Sequence, residues 1–248
     1  MRPLPPGARD PLQSACFPLL PYANRIALGR FPFHGETYQL PRNFGDHPHS
    51  LHGLGWQRAW SAAASGPSSA VLGHAHDGGP GWPWAYRAEQ RLELTEGGLI
   101  AELALTNADT RAMPAGLGFH PYFPADGTTR LKASSTRLWL ADAGMIPVRP
   151  VAPDHFADWA TGAPVQRADL VDNCYEGWDG SARIDHAGRR LRIAAEVTPD
   201  FHLYIPPGAG FFCFEPVTHL PDALNRGGMV VLAPGETLRL AMRVSVGG

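Results

Sequence analysis

Lysine is nearly missing from this chain of 248 residues: Lys132 stands alone among 21 basic side chains, and the rest are arginine. A Walker-type phosphate loop needs a Gly-Lys-Ser/Thr run and is excluded, and Schiff-base chemistry is left with one candidate in an ordinary polar stretch. Cysteine is scarce too. Cys16, Cys174 and Cys213 are odd in number and far apart, with no Cys-x-x-Cys pair, so no disulfide framework is expected and a reducing compartment, the cytoplasm, is. Net charge is small, with 21 basic against 23 acidic residues. That leaves no electrostatic footprint for nucleic acid and no polybasic patch for a membrane. No apolar run is long enough to span a bilayer, and no basic head followed by an apolar stretch reads as a signal peptide. A Gly-x-Ser-x-Gly elbow is also missing, which disfavours a serine esterase.

What is present reads as strand. Arg91-Leu92-Glu93-Leu94-Thr95 alternates, Glu96-Gly97-Gly98 turns, and Leu99 to Leu105 alternates again, the pattern of an antiparallel hairpin. Arg190–Ile193, Phe201–Ile205 and the aromatic run Phe211–Phe214 predict further strands. Met229–Leu232, Pro234-Gly235-Glu236 and Leu238–Val244 repeat the strand-turn-strand pattern at the C-terminus. Ser61 to Gly81, rich in Ala, Ser and Gly, reads as loop with a frayed strand at Ala70-Val71-Leu72. No window carries an apolar stripe at helical spacing for three turns. With 28 glycines and 25 prolines in no period, the expected fold class is all-β, a sandwich or barrel, as one domain over residues 1–248. In such a fold, active groups come from strands distant in sequence that meet on one face.

Five clusters could carry chemistry. His47-Pro48-His49-Ser50-Leu51-His52-Gly53 holds three histidines but no neighbouring Cys or paired carboxylate to complete a zinc site. His47 and His49 read as solvated loop residues, and His52, beside a close-approach glycine and Trp56, suits a ring-shaped ligand. His74-Ala75-His76-Asp77 is close to a metallo-hydrolase run, but its aspartate is one place early, so it reads as a polar loop. No metal is expected. His120, inside Gly118-Phe119-His120-Pro121-Tyr122-Phe123, is either a packed core histidine or a tunable acid/base group. Glu215, at the end of Phe211-Phe212-Cys213-Phe214, is either salt-bridged or a general base with a raised pKa. Asp172-Asn173-Cys174-Tyr175-Glu176-Gly177-Trp178 fits carbohydrate, with carboxylates for hydroxyls and an aromatic face for the ring, or else a turn with Trp178 packed inward.

Taken in chain order, Phe17 to Ile26 with Asn24-Arg25, Leu51-His52-Gly53, Gly118 to Phe123, Asp172-Asn173 with Gly177-Trp178, and Phe214-Glu215-Pro216 resemble the aldose 1-epimerase (galactose mutarotase) family. The resemblance runs from about Pro18 to the C-terminus and implies a β-supersandwich of antiparallel sheets. It implies Glu215 as the base that takes the proton of the anomeric C1 hydroxyl and His120 as the acid that protonates the ring oxygen, on opposite sides of the ring. His52 is implied near the ring oxygen, with Arg25, Asp172 and Trp178 as sugar contacts. No cofactor and no metal are implied. The implied partner is a small sugar, with no nucleic acid and no membrane, in a monomer or homodimer. Family members usually carry a few dozen residues before the Asn-Arg-Ile segment, whereas 23 precede Asn24 here; either the start is shortened or the first strands are absent, which would expose a sheet edge. A hexose-phosphate epimerase would need arginines converging on the cleft, with Arg25, Arg30, Arg42 and Arg58 available. A non-catalytic sugar-binding protein of the same fold is the other alternative.

Overall fold

Period-two alternation dominates the chain, and the strands it produces pair into two large antiparallel sheets. The structure, a computed structural model, describes residues 1–196 and 198–247. The first sheet has seven strands in the order Cys16–Leu19, Gly118–Pro124, Phe211–Val217, Asp200–Ile205, Val171–Glu176, Arg137–Ala141 and Pro147–Val151. The second has nine, running from Ala163–Pro164 through Thr237–Gly247 and Gly98–Asn107 to Ser61–Ser65. Among the described residues the single α-helix is one turn, Ala223–Arg226. The sheets share one core, in which Phe119, Phe123, Phe201, Phe212 and Phe214 of the first meet Tyr86, Leu103, Leu105, Ile193 and Met242 of the second. The all-β expectation holds.

The expected hairpin forms, with Thr95 opposite Gly98 across a Glu96-Gly97 turn. Two expectations need correcting. Residues 61 to 77 are not a loop: Ser61–Ser65 and Ser69–Asp77 are strands, the latter in register with Ala85–Thr95. Small residues have low strand propensity, but a ladder to a strongly alternating neighbour overrides it. At the C-terminus, Val230–Leu232 and Thr237–Gly247 are both strands but do not pair with each other. The first pairs with Met113–Ala115, and the second lies between Gly98–Asn107 and Arg189–Glu196. Cys16–Leu19 is an edge strand of the seven-stranded sheet.

The seven-stranded sheet is buried on both faces, and this positions the site. Along Phe211–Val217, Phe212 and Phe214 point into the shared core, while Cys213 and Val217 join Phe17, Trp56, Tyr122 and Cys174 in a smaller cluster on the other face. Period two puts Glu215 on that second face as well. A loop lies over it. Arg25–Ile26 pairs with Ser50–Leu51, and Asn24 and His52, both at positive φ, lock together. The Asn24 N–H donates to His52 Nδ1 at 3.0 Å and the His52 N–H to the Asn24 carbonyl at 2.8 Å. Gly53 follows at φ +65, where a Cβ would lie 2.2 Å from the Leu20 carbonyl oxygen, so only glycine lets the loop dock.

Candidate active site

Ladder register sets two parallel rows of side chains on the second face. In the first, Phe17 lies opposite His120, and Glu215 opposite His202, itself opposite Cys174. Between Gly118↔Val217 and Tyr122↔Cys213, His120 comes level with Glu215. In the second row, Tyr122 faces Cys213, Cys213 faces Tyr204, and Tyr204 faces Asp172. Phe17, His120, Glu215 and His202 of the first row and Tyr122, Tyr204 and Asp172 of the second form the floor of a cleft of about 430 Å³ that Arg25, His52 and Trp56 also line, within the range of small-molecule sites.

At the centre His120 Nε2 lies 3.2 Å from Glu215 Oε1, with both side chains buried. The Phe17 ring stacks on the imidazole at 4.4 Å between centroids. Burial pushes the Glu215 carboxyl well above its usual range, and the nearby Asp172 charge adds to this. Burial and the neighbouring His202 press His120 down to about 3. Burial disfavours charge on both partners, and so favours the uncharged arrangement with the proton on Glu215. Glu215 Oε2, His120 Nδ1 and His202 Nδ1 have no hydrogen-bond partner, and orphaned polar atoms in a cleft floor are what a polyhydroxylated ligand would satisfy. His52 is held neutral by burial, helped by His120 and Arg25. Its Nδ1 accepts from Asn24, so the proton sits on Nε2 and His52 is a donor.

Asp172 anchors the far side. Its Oδ1 accepts from His202 Nε2 at 2.6 Å and its Oδ2 from Arg25 Nη2 at 3.0 Å. Burial works to raise its pKa, but the His202 hydrogen bond and the His202 and Arg25 charges outweigh this and hold the carboxyl well below the usual carboxylate range. Arg25 also donates to Asn24 Oδ1 at 3.0 Å.

Five of the six expected site residues therefore meet in one cleft: Glu215, His120, His52, Arg25 and Asp172. Trp178 does not. It belongs to the shared core, edge-on to Phe201 and Phe214, with its indole N–H donated to the Ser181 carbonyl at 2.8 Å. Of its two sequence readings, the inward-packed turn is the one found. His120 and Glu215, expected as acid and base on opposite sides of a ring, instead touch each other. His202 was missed because Phe201-His202-Leu203-Tyr204-Ile205 reads as a buried strand. The available signal was that His202 and Tyr204 share the face opposite Phe201, Leu203 and Ile205. His49 is buried rather than solvated, its Nδ1 accepting from the Leu28 N–H at 2.9 Å. His74 and His76 bond Tyr86 and the Trp82 carbonyl. Among the described residues the one group of three potential metal donors is elsewhere, at His120, Cys213 and Glu215. Of the arginines weighed for a phosphate, Arg25 lines the cleft and Arg30, Arg42 and Arg58 do not.

The chain matches the family model described as Aldose 1-epimerase over residues 5–245. It is 33% identical over 260 residues to the uncharacterised protein YphB of Escherichia coli K12, covering 98% of this chain and 88% of that one. It is 25% identical over 256 residues to the galactose mutarotase of Rattus norvegicus, covering 86% of this chain and 73% of that one. Among solved structures, the homologue of GalM/aldose epimerase from C. elegans superposes with a TM-score of 0.80 at 20% identity, over 93% of this chain and 81% of that one. That likeness speaks for the fold.

Proposed function

Because the chain belongs to the aldose 1-epimerase family, we propose that its cleft interconverts the α and β anomers of a free aldose by acid/base opening and closure of the ring. The enzyme is an isomerase that needs no cofactor and works in the cytoplasm as one domain. The observation that carries the reading is the 3.2 Å contact of His120 with Glu215 on the cleft floor.

Ring opening removes a proton from the C1 hydroxyl and adds one to the ring oxygen. These two oxygens are bonded to the same carbon, so their acid and base belong side by side, not across the ring. Glu215 takes the hydroxyl proton and His120 delivers one to the ring oxygen. The productive charge state is carboxylate with imidazolium, reached from the resting pair by moving its single proton along the contact. The C1–C2 bond then rotates in the free aldehyde. Closure runs the transfers backwards: His120 recovers the proton of the ring hydroxyl and Glu215 returns one to C1. The pair ends with the single proton it started with, so no outside reagent is required. Each positioned transfer contributes roughly 10²–10⁴-fold. The His52 Nε2–H steadies the ring oxygen. Arg25 and Asp172, already ordered against each other, hold sugar hydroxyls without a fresh ordering cost.

Polarimetry on freshly dissolved α-D-glucose and α-D-galactose tests the reading. The protein is expected to speed the approach to an unchanged final rotation. Folded protein that leaves both rates at the spontaneous value overturns it.

A further inference from the structure

Glu215 and Cys213 are two residues apart on one strand and share a face, and His120 stands beside Glu215 on the next strand. One donor atom from each lies within 4.8 Å of the other two, and all three side chains are buried. We propose that His120, Cys213 and Glu215 form a binding site for Zn²⁺, and that the bound ion switches the cleft off. The donor set is an imidazole, a thiolate and a carboxylate, the three ligand types zinc combines.

The spacing fits. Zinc–nitrogen and zinc–oxygen bonds of about 2.0–2.2 Å and a zinc–sulfur bond of about 2.3 Å set tetrahedral donors roughly 3.3–3.6 Å apart. The His120–Glu215 pair already stands at 3.2 Å. At the 4.8 Å limit the sulfur needs to close by roughly 1.2–1.5 Å, a shift within the reach of rotation about its Cα–Cβ bond. Glu215 Oε2 and His120 Nδ1, buried and unpartnered, show that neither ligand is fully committed elsewhere. Three protein donors leave a fourth position, and the cleft that His120 and Glu215 line supplies it with water or a hydroxyl. Cys213 lies on the deep side, between Tyr122 and Tyr204 across the ladder. Binding displaces two protons, that of the Cys213 thiol and that of the Glu215 carboxyl, and releases both to solvent with no change of oxidation state. A lone pair donated to zinc cannot accept a proton from a sugar, so occupancy removes acid and base together. This consequence rests on the acid/base role proposed above; the site itself does not.

Co²⁺ titrated into the full chain without sugar tests the site apart from the activity. A near-ultraviolet thiolate-to-cobalt band with strong visible d–d bands is expected, and both are to disappear when Zn²⁺ displaces cobalt. Since losing an outer-sphere partner already costs 10–100-fold in metal affinity, Cys213→Ser is expected to weaken cobalt binding at least about 100-fold and abolish the charge-transfer band. Cys213→Ala guards against an effect peculiar to serine, and Cys174→Ser is expected to keep the band. In the activity assay Zn²⁺ is expected to inhibit the natural protein reversibly on adding EDTA, while the rate of Cys213→Ser, measured against its own zinc-free rate, is expected to be unaffected by zinc. A spectrum without the thiolate band, or one that survives Cys213→Ser, overturns the site. Loss of activity on EDTA treatment alone overturns the inhibitory role. A normal cobalt spectrum in a protein that leaves every sugar at its spontaneous rate keeps the site and counts against the mutarotase reading.

Discussion

The two faces of the seven-stranded sheet are built from the same strands and do opposite work. On Phe211–Val217 the even positions 212 and 214 are phenylalanines at 0% exposure in the shared core, while the odd positions hold Cys213 and Glu215. On Gly118–Pro124, Phe119 and Phe123 face the core, and His120 and Tyr122 face the cleft. The core face is generic: each fully buried phenylalanine contributes about 1.5–3 kcal/mol through area alone. The cleft face is costly, because an uncompensated buried carboxylate or imidazole loses several kcal/mol of hydration. The first face offsets the second and holds its side chains in place. Function thus occupies alternate positions of strands whose other positions stabilise the fold.

Substitutions on either face separate the two roles. Glu215→Gln keeps shape but cannot accept the proton, so kcat is expected to fall about 10²–10⁴-fold with Tm no lower than in the natural protein, read by polarimetry and thermal melting. Phe123→Ala opens a cavity on the core face and is expected to cost about 3–5 kcal/mol by urea denaturation, with kcat/KM of the folded protein little changed. His219 sharpens the contrast between a packed histidine and a working one. Its Nδ1–H donates to the Leu220 carbonyl and its Nε2 accepts from the Ala23 N–H, so neither nitrogen is free, and burial lowers it to about 4. Between pH 6.5 and 4 the unfolded chain therefore takes up a proton that the folded one refuses. The stability this residue supplies is complete above pH 6.5 and falls by on the order of 3 kcal/mol on the way to pH 4. His219→Gln is expected to flatten that slope in urea titrations at stepped pH. The smallest effect belongs to Trp178→Phe, which loses one indole hydrogen bond. It is expected to cost about 1 kcal/mol of stability and leave KM for the sugar unchanged, because the ring does not line the cleft.

Much of this was legible in the residues. Alternation over Arg91–Leu105 predicts the hairpin that forms, and the short motifs around Arg25, His52, His120, Asp172 and Glu215 name five groups that the fold brings together. What was illegible has physical causes. A sheet buried on both faces blurs the polar-apolar alternation that marks a one-sided strand, so His202 hid inside a run that reads as core. Trp178 sits among acidic residues in sequence, but it lies beyond the end of Val171–Glu176, past Gly177 at φ +72, where the strand's alternation no longer sets which way a side chain faces, and proximity along the chain misleads. Strands 61–65 and 69–77 are made of small residues and owe their form to the ladder beside them. The touching geometry of His120 and Glu215 depends on register between two strands almost a hundred residues apart, which no local pattern encodes.

The central claim is that the cleft face, through His120 and Glu215, moves the proton that interconverts anomers. Magnetisation exchange between the α and β anomeric protons of an equilibrated aldose measures this at equilibrium. The account predicts exchange well above the spontaneous rate with the natural protein, and a return to near that rate with Glu215→Gln at equal concentration of folded protein. Exchange that stays fast in Glu215→Gln would contradict it.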